Sequence, residues 1–180
     1  MMFKIVDDTH KSLRNVCLEV DKPYSQEIKN TVLEMIDYLK LSQDDEYAKE
    51  HNITAGIGLA APQIGINKRM FAIYINGGEE IYQYGLINPE IKRTSVKKCY
   101  LSSGEGCLSV PHQHEGLVMR YNKVVMSGYD VITDKEIEIT AYGYLAIALQ
   151  HEFDHLNGVL YYDHIKKDSP FVPDNGAIEI

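Results

Sequence analysis

The chain has 180 residues, 44% of them hydrophobic, and a formal net charge of -8, which is enough length and apolar content for one ordinary domain with its own core. The acidic balance excludes a protein that coats nucleic acid, since phosphates call for an excess of Lys and Arg. No apolar run approaches the roughly 18 to 20 residues needed to span a bilayer.

The opening segment MMFKIVDDTHKSLRN carries charges where a secretory signal would be apolar, and it lacks the Arg-rich, acid-free character of a transit peptide. The expectation is a single cytoplasmic domain over residues 1–180, with no membrane and no direct DNA partner. Cys17, Cys99 and Cys107 are odd in number, which argues against a disulfide framework. Residues 25–41 predict an amphipathic helix, capped by Ser25, with Ile28, Val32, Leu33, Ile36 and Leu39 at helical spacing. SQDDEYAKEHN after it reads as further helix or an exposed connection. GIGLAAPQIG follows at 56–65. Its glycines could cradle a phosphate, but no Lys stands at phosphate-loop spacing and no dinucleotide pattern is present.

RMFAIYIN and IYQYGLINPEI flank a glycine turn at Gly77-Gly78 and predict a strand pair. GEGCLSVP places Cys107 in a segment read as an extended strand behind a permissive backbone. NKVVMSGYDV and EIEITAYG predict a second hairpin. GYLAIALQHEFDHLNG predicts a second helix that stops at Asn157-Gly158. VLYYDHI has strand composition, and Pro170 and Pro173 make the tail largely irregular. Segregated helices with antiparallel hairpins give an α+β class, with mainly antiparallel sheets packed around the second helix.

On that helix His151 and His155 lie one above the other and can face one ion, with Glu152 rotated by about 100° and placed to act without being a ligand. Tyr144, Ile147 and Ala148 border the histidines as an apolar wall. The bland alternative is an incidental polar cluster at a helix end. A catalytic site of this type takes three protein ligands. A third histidine six residues on is excluded by Tyr161. His164 lies on the segment read as leaving the helix, His112 and His114 form a loop pair expected at the surface, and Glu179 sits in the tail. Cys107 would complete a site suited to zinc, iron(II), nickel or cobalt, although by itself it reads as a small buried residue, as Cys17 and Cys99 do.

GIGLAAPQIG, EGCLS at 105–109 and QHEFDHLNG at 150–158 together resemble, in order and spacing, the three signature motifs of peptide deformylase. The insertions and the C-terminal region resemble the class common in Gram-positive bacteria and their relatives. The resemblance implies that Cys107, His151 and His155 bind the metal and that Glu152 is the general acid/base. It implies that the Gln63 amide and the Leu108 N–H serve the developing oxyanion, and that the backbone at Ile57, Gly58 and Gly106 pairs with an extended peptide. Tyr144, Ile147 and Ala148 would receive the methionine side chain. Glu105 and Arg120 are candidates for a supporting ion pair.

The implied reaction is hydrolysis of the N-formyl group from formyl-methionine on nascent chains, releasing formate. Iron(II) is implied as the native ion, with Zn2+, Ni2+ or Co2+ able to substitute, and a transient encounter with the ribosome is expected. The loop HQHEGLVMRY departs from the family pattern, which leaves contacts beyond methionine open. The rival readings are a metallopeptidase, whose third ligand would lie outside Cys107, and a metal-binding module that does no chemistry.

Overall fold

The computed structural model describes residues 3–180. Helix α1 (Gln26–Ser42) starts at its predicted cap, where the Ser25 side chain accepts the Ile28 N–H. Val32, Ile36 and Leu39 are buried and Ile28 is half-buried, as the spacing requires. Leu33, at 38% exposure, turns to solvent, and Met35 and Tyr38 fill the stripe in its place. A short second helix, α2 (Asp45–His51), follows with an Asp44 cap and no buried residue.

Beyond α2 come β1 (Gly58–Ala60), a 3-10 turn at Ala61–Ile64, β2 (Met70–Asn76), β3 (Ile81–Thr94), β4 (Lys98–Tyr100), β5 (Arg120–Tyr121), β6 (Lys123–Asp130) and β7 (Lys135–Tyr142). Helix α3 (Gly143–His155), a further 3-10 turn at Tyr161–His164 and β8 (Ile178–Glu179) follow, and another 3-10 turn, Lys11–Arg14, precedes α1. Both predicted hairpins form, β2 with β3 and β6 with β7, and Gly78 takes φ +85° in the first turn. They join an antiparallel sheet of order β1-β2-β3-β6-β7, which leaves β1 as a free edge. A smaller sheet pairs β4 with β5 antiparallel and with β8 parallel.

Alternation along β2 decides how the helices pack. Phe71 and Ile73 join Ala146, Ala148 and Leu149 of α3, whereas Met70 meets Val32, and Ala72 meets Met35, Ile36 and Leu39 of α1. The large sheet thus carries α3 on one face and α1 on the other. Of these, the α3 cluster lies on the helix that carries the two histidines, and a smaller cluster of Val110, Val118 and Tyr161 meets them from the other side.

Two segments depart from the sequence reading. VLYYDHI is not a strand: Asp163 accepts the Leu160 N–H at 2.8 Å and pairs with Arg14, so residues 161–164 close into a 3-10 turn that comes back toward α3. The residues around Cys107 are irregular rather than extended, and the Val110 N–H closes a turn onto the Cys107 carbonyl at 3.0 Å. The tail is mostly irregular, yet it ends as a strand of the smaller sheet.

Gly158 ends α3 at φ +71°, and a Cβ there would lie 2.7 Å from the Arg14 carbonyl oxygen. Both the left-handed backbone and the close approach exclude a side chain. Gly158→Ala is expected to lower unfolding stability by about 2 kcal/mol or more; urea melts matching the parent within 0.5 kcal/mol would contradict this packing.

Candidate metal centre

Helical spacing places the His151 and His155 rings 5.0 Å apart, centroid to centroid, on α3. The turn at 107–110 brings the Cys107 Sγ to 3.3 Å from His155 Nε2. One ligand atom from each of Cys107, His151 and His155 lies within 4.8 Å of the others, the one grouping of this kind among the described residues. A tetrahedral ion with metal–sulfur near 2.3 Å and metal–nitrogen near 2.0 Å would hold sulfur and nitrogen about 3.5 Å apart. The spacing and the soft, mixed donor set therefore fit a divalent metal.

None of the other candidate ligands joins them. His164 turns back toward α3 but bonds Asp154 Oδ2 at 2.7 Å. His112 is exposed, His114 packs its ring on Tyr162, and Glu179 accepts from the Tyr100 hydroxyl. The third ligand that a metallopeptidase reading requires outside Cys107 is thus missing among the described residues.

A buried charge network orients His151. Glu105, 4% exposed, takes two hydrogen bonds from Arg120, at 2.7 Å from Nε and 2.9 Å from Nη2, and a third from His151 Nδ1 at 2.8 Å. Since Glu105 is ionised, it holds a proton on Nδ1 and turns Nε2 to the centre, where binding a metal displaces the second proton. Arg120, 3% exposed, also pairs with Asp154, which His164 bonds from the surface. Burial alone would raise the Glu105 pKa, but the Arg120 bonds and charge, helped by His151, hold it down at about 2. Burial likewise favours neutral imidazoles. It prevails at His155, whose pKa lies well below the usual value, while the bonds to Cys107 and Glu105 lift His151 well above it.

Glu152 is buried with Oε2 lacking any hydrogen-bond partner. Burial is the main reason its pKa rises to about 7; the charge of Glu105 adds to the rise and His151 opposes it. A carboxyl group tuned to neutrality beside three potential ligands can accept and return a proton at working pH. Gly58 makes this burial possible, since a Cβ there would lie 2.6 Å from Glu152 Cδ. Gln63 is fixed from behind: the Ala60 N–H donates to its Oε1 at 2.8 Å, so Nε2 faces Cys107 Sγ at 3.5 Å and Ser109 Oγ at 3.2 Å.

These groups open onto a cavity of about 440 Å³. One wall is residues 54–58, the opposite wall runs from Gly106 to Pro111, and the floor holds Ile147, Ala148 and the half-exposed Tyr144. Leu108 lines it as well. At Gly106 the backbone has no positive φ and a Cβ would meet open space. The absent side chain keeps the cavity clear there, and the left-handed glycine is Gly104 instead, at φ +76°.

Cys17 and Cys99 are buried thiols pushed up to about 11 by burial, as expected of packing residues. Sequence reasoning passed over Ser109, Asp154 and Tyr161. Asp154 left no signal, because the burial of Arg120 that brings the two together is a property of the fold. Tyr161, excluded as a ligand, stacks its ring near His151 at 6.1 Å and 18°.

The family model for polypeptide deformylase matches residues 2–170. Among curated proteins, peptide deformylase 2 of Geobacillus stearothermophilus is 43% identical over 182 residues, covering 99% of this chain and 97% of the relative. Peptide deformylase 2 of Bacillus anthracis is 44% identical over 177 residues, covering 98% and 96%. Among solved structures, a peptide deformylase from Legionella pneumophila superposes with TM-score 0.74 at 32% identity, covering 94% of this chain and 89% of that one. The peptide deformylase from Thermotoga maritima gives 0.73 at 31%, covering 92% and 99%.

The raised Glu152 pKa has a stability consequence. An unfolded glutamate ionises near 4.5, whereas the folded one holds its proton to about 7, so the metal-free fold loses stability as pH climbs through that window. Glu152→Gln should therefore stabilise chelator-treated protein, by little at pH 4.5 and increasingly up to pH 7.5. Thermal melts showing a pH-independent difference would refute the buried, proton-holding Glu152.

Proposed function

The chain belongs to the polypeptide deformylase family, hydrolases that remove the N-formyl group from nascent polypeptides, and on that premise we propose how its own residues divide the work. Cys107, His151 and His155 would hold one divalent ion. When bound, that ion supplies Lewis acidity, polarising a carbonyl and making water a better nucleophile. The family resemblance implies iron(II) natively, and the mixed thiolate and imidazole donors suit Zn2+, Ni2+ or Co2+ as substitutes.

Glu152 is the general acid/base. It takes a proton from the water that attacks the formyl carbon and delivers it to the departing amine nitrogen as the C–N bond breaks, so that R–NH–CHO and water become R–NH2 and formic acid, which ionises to formate as the amine or solvent takes its proton. Gln63 Nε2 and the Leu108 N–H donate to the carbonyl oxygen as negative charge gathers on it. The Ala60 N–H fixes Gln63 Oε1, so Nε2 stays beside the centre, and one of its hydrogens has only to leave Cys107 Sγ or Ser109 Oγ to serve the carbonyl oxygen. Ile57, Gly58 and Gly106 offer backbone to an extended peptide, in the manner of strand addition at a free edge. Tyr144, Ile147 and Ala148 receive the methionine side chain. The observation that carries the reading is Glu152, a buried carboxyl with a pKa near 7 beside the Cys-His-His grouping.

The whole chain, 1–180, acts as one catalytic domain in this reading. It works in the cytoplasm on N-formylmethionyl nascent chains and meets the ribosome transiently. No helix among the described residues is long and apolar enough to cross a membrane.

The deciding experiment is formate release from a formyl-methionyl peptide by anaerobically prepared protein, with metal content measured on the same sample. Release should track one bound ion per chain. Glu152→Ala should keep its metal and lose at least about 100-fold in turnover, while Cys107→Ala should lose metal. Full turnover by Glu152→Ala would overturn the assignment of the acid/base.

A further inference from the structure

We propose that Ser42 and Gln43, at the C-terminal end of α1, are positioning residues that set the peptide-binding wall of the cleft. The inference rests on the deformylase reading and extends it to residues that touch neither metal nor substrate.

The chain leaves α1 at Gln43, passes through α2 and returns at residues 54–58 as one wall of the cavity. Nothing in α2 is buried, so the excursion gains no hold on the core from that helix. Its return is fixed at Gly56. The Gly56 N–H donates to Ser42 Oγ at 3.1 Å, and the Gly56 carbonyl accepts from Gln43 Nε2 at 2.9 Å. Ser42 is itself anchored, its hydroxyl donating to the Leu39 carbonyl at 2.8 Å. Gln43 Nε2 spends its second hydrogen on the Tyr74 carbonyl at 2.9 Å, and Tyr74 belongs to β2, whose N–H holds the Ile57 carbonyl at 2.9 Å. One amide therefore ties the wall to the neighbouring strand, and both polar backbone groups of Gly56 are occupied by α1.

Gly56 also sets the distance between the two walls. A Cβ there would lie 2.7 Å from Leu108 Cδ1, so the 54–58 wall rests directly on the side chain of the opposite wall. If the clamp is released, the wall can shift away from Leu108, and the edge that an extended peptide would pair with loses its fixed register. The reacting groups stay where they are, because Glu152, His151 and His155 are carried by α3, Cys107 by its own turn, and Gly58, which packs on Glu152, remains paired with Ile73 of β2. A peptide that extends beyond methionine should feel the loss, and a substrate that ends at methionine should feel it much less.

The test uses the metal-loaded full chain, with formate release from a formyl-methionyl tripeptide and from formyl-methioninamide measured in parallel. Gln43→Met keeps the side-chain length and removes both donors. It should raise KM for the tripeptide about five- to thirtyfold, the loss of one to two ordinary hydrogen bonds, with kcat within about twofold and the amide little affected. Ser42→Ala should act in the same direction and carries the same test if Gln43→Met does not accumulate folded. An unchanged tripeptide KM in a folded variant would overturn the inference, as would equal losses on both substrates in step with a fall in kcat, which mark general loosening. Wild-type protein that releases no formate from either substrate would sink the deformylase reading itself, and this inference with it.

Discussion

The Glu105–Arg120 ion pair is the constraint on which the centre depends. Taking one such charge out of water costs several kcal/mol, and both are almost wholly enclosed. The cost is met because neither is left with idle capacity on the side facing the centre: Glu105 accepts three hydrogen bonds, and Arg120 donates to Glu105 and Asp154. The partners come from distant stretches of chain. Glu105 precedes Cys107 by two residues, Arg120 lies in the two-residue strand β5, and Asp154 and His151 sit on α3. A single guanidinium thus fastens the segment that brings the thiol to the helix that brings the imidazoles. Removing either partner would leave a buried charge unmatched, at about 3–5 kcal/mol, and would free the His151 ring to choose its tautomer.

Close approach, rather than charge, determines the behaviour of Glu152. The edge strand β1 lies against α3 at Gly58, where any side chain would collide with the carboxyl group. That contact covers the Oε1 side of Glu152, Oε2 is buried without a partner, and the burial drives its pKa toward neutrality. A glycine in the first motif thereby tunes an acid in the third. The same packing argument explains Gly56 against Leu108, and together the two positions account for why GIG leads into the strand without any role in holding phosphate.

The sequence made the long elements legible because their periodicity reflects burial on one face. The 26–42 helix, both hairpins and α3 all follow from spacing and from turn residues such as Ser25 and Gly78. What escaped depends on contacts between distant residues. VLYYDHI has strand composition, and only the Asp163 bond to Leu160 and the pairing with Arg14 make it a turn. Leu33 satisfies the helical spacing as well as Met35 does, and the position of the sheet decides between them. In the site, the His-Glu-His face was plain from spacing alone. Cys107 as the partner of those histidines was not, since an isolated thiol in an irregular segment looks like packing until the family motifs are seen together. Ser42 and Gln43 left no trace, because their partner lies 13 to 14 residues away across an exposed excursion.

The two walls of the cleft are built on a common plan that differs from that of the reacting centre. The centre is held by buried charges and by the packing of α3 on the sheet. The walls are held by side chains that bond backbone at their base. On one side Ser42 and Gln43 grip Gly56; on the other the Tyr161 hydroxyl accepts the His114 N–H at 3.0 Å and steadies the exposed 111–114 loop, of which Pro111 and Gln113 line the cavity. Tyr161 can do this because its ring is buried beside His151, so the loop takes its position from the same helix that carries the ligands. Ordinary hydrogen bonds of about 1 kcal/mol each are strong enough to define a wall and weak enough to let it adjust to different peptides. The buried ion pairs allow no such adjustment to the atoms that react.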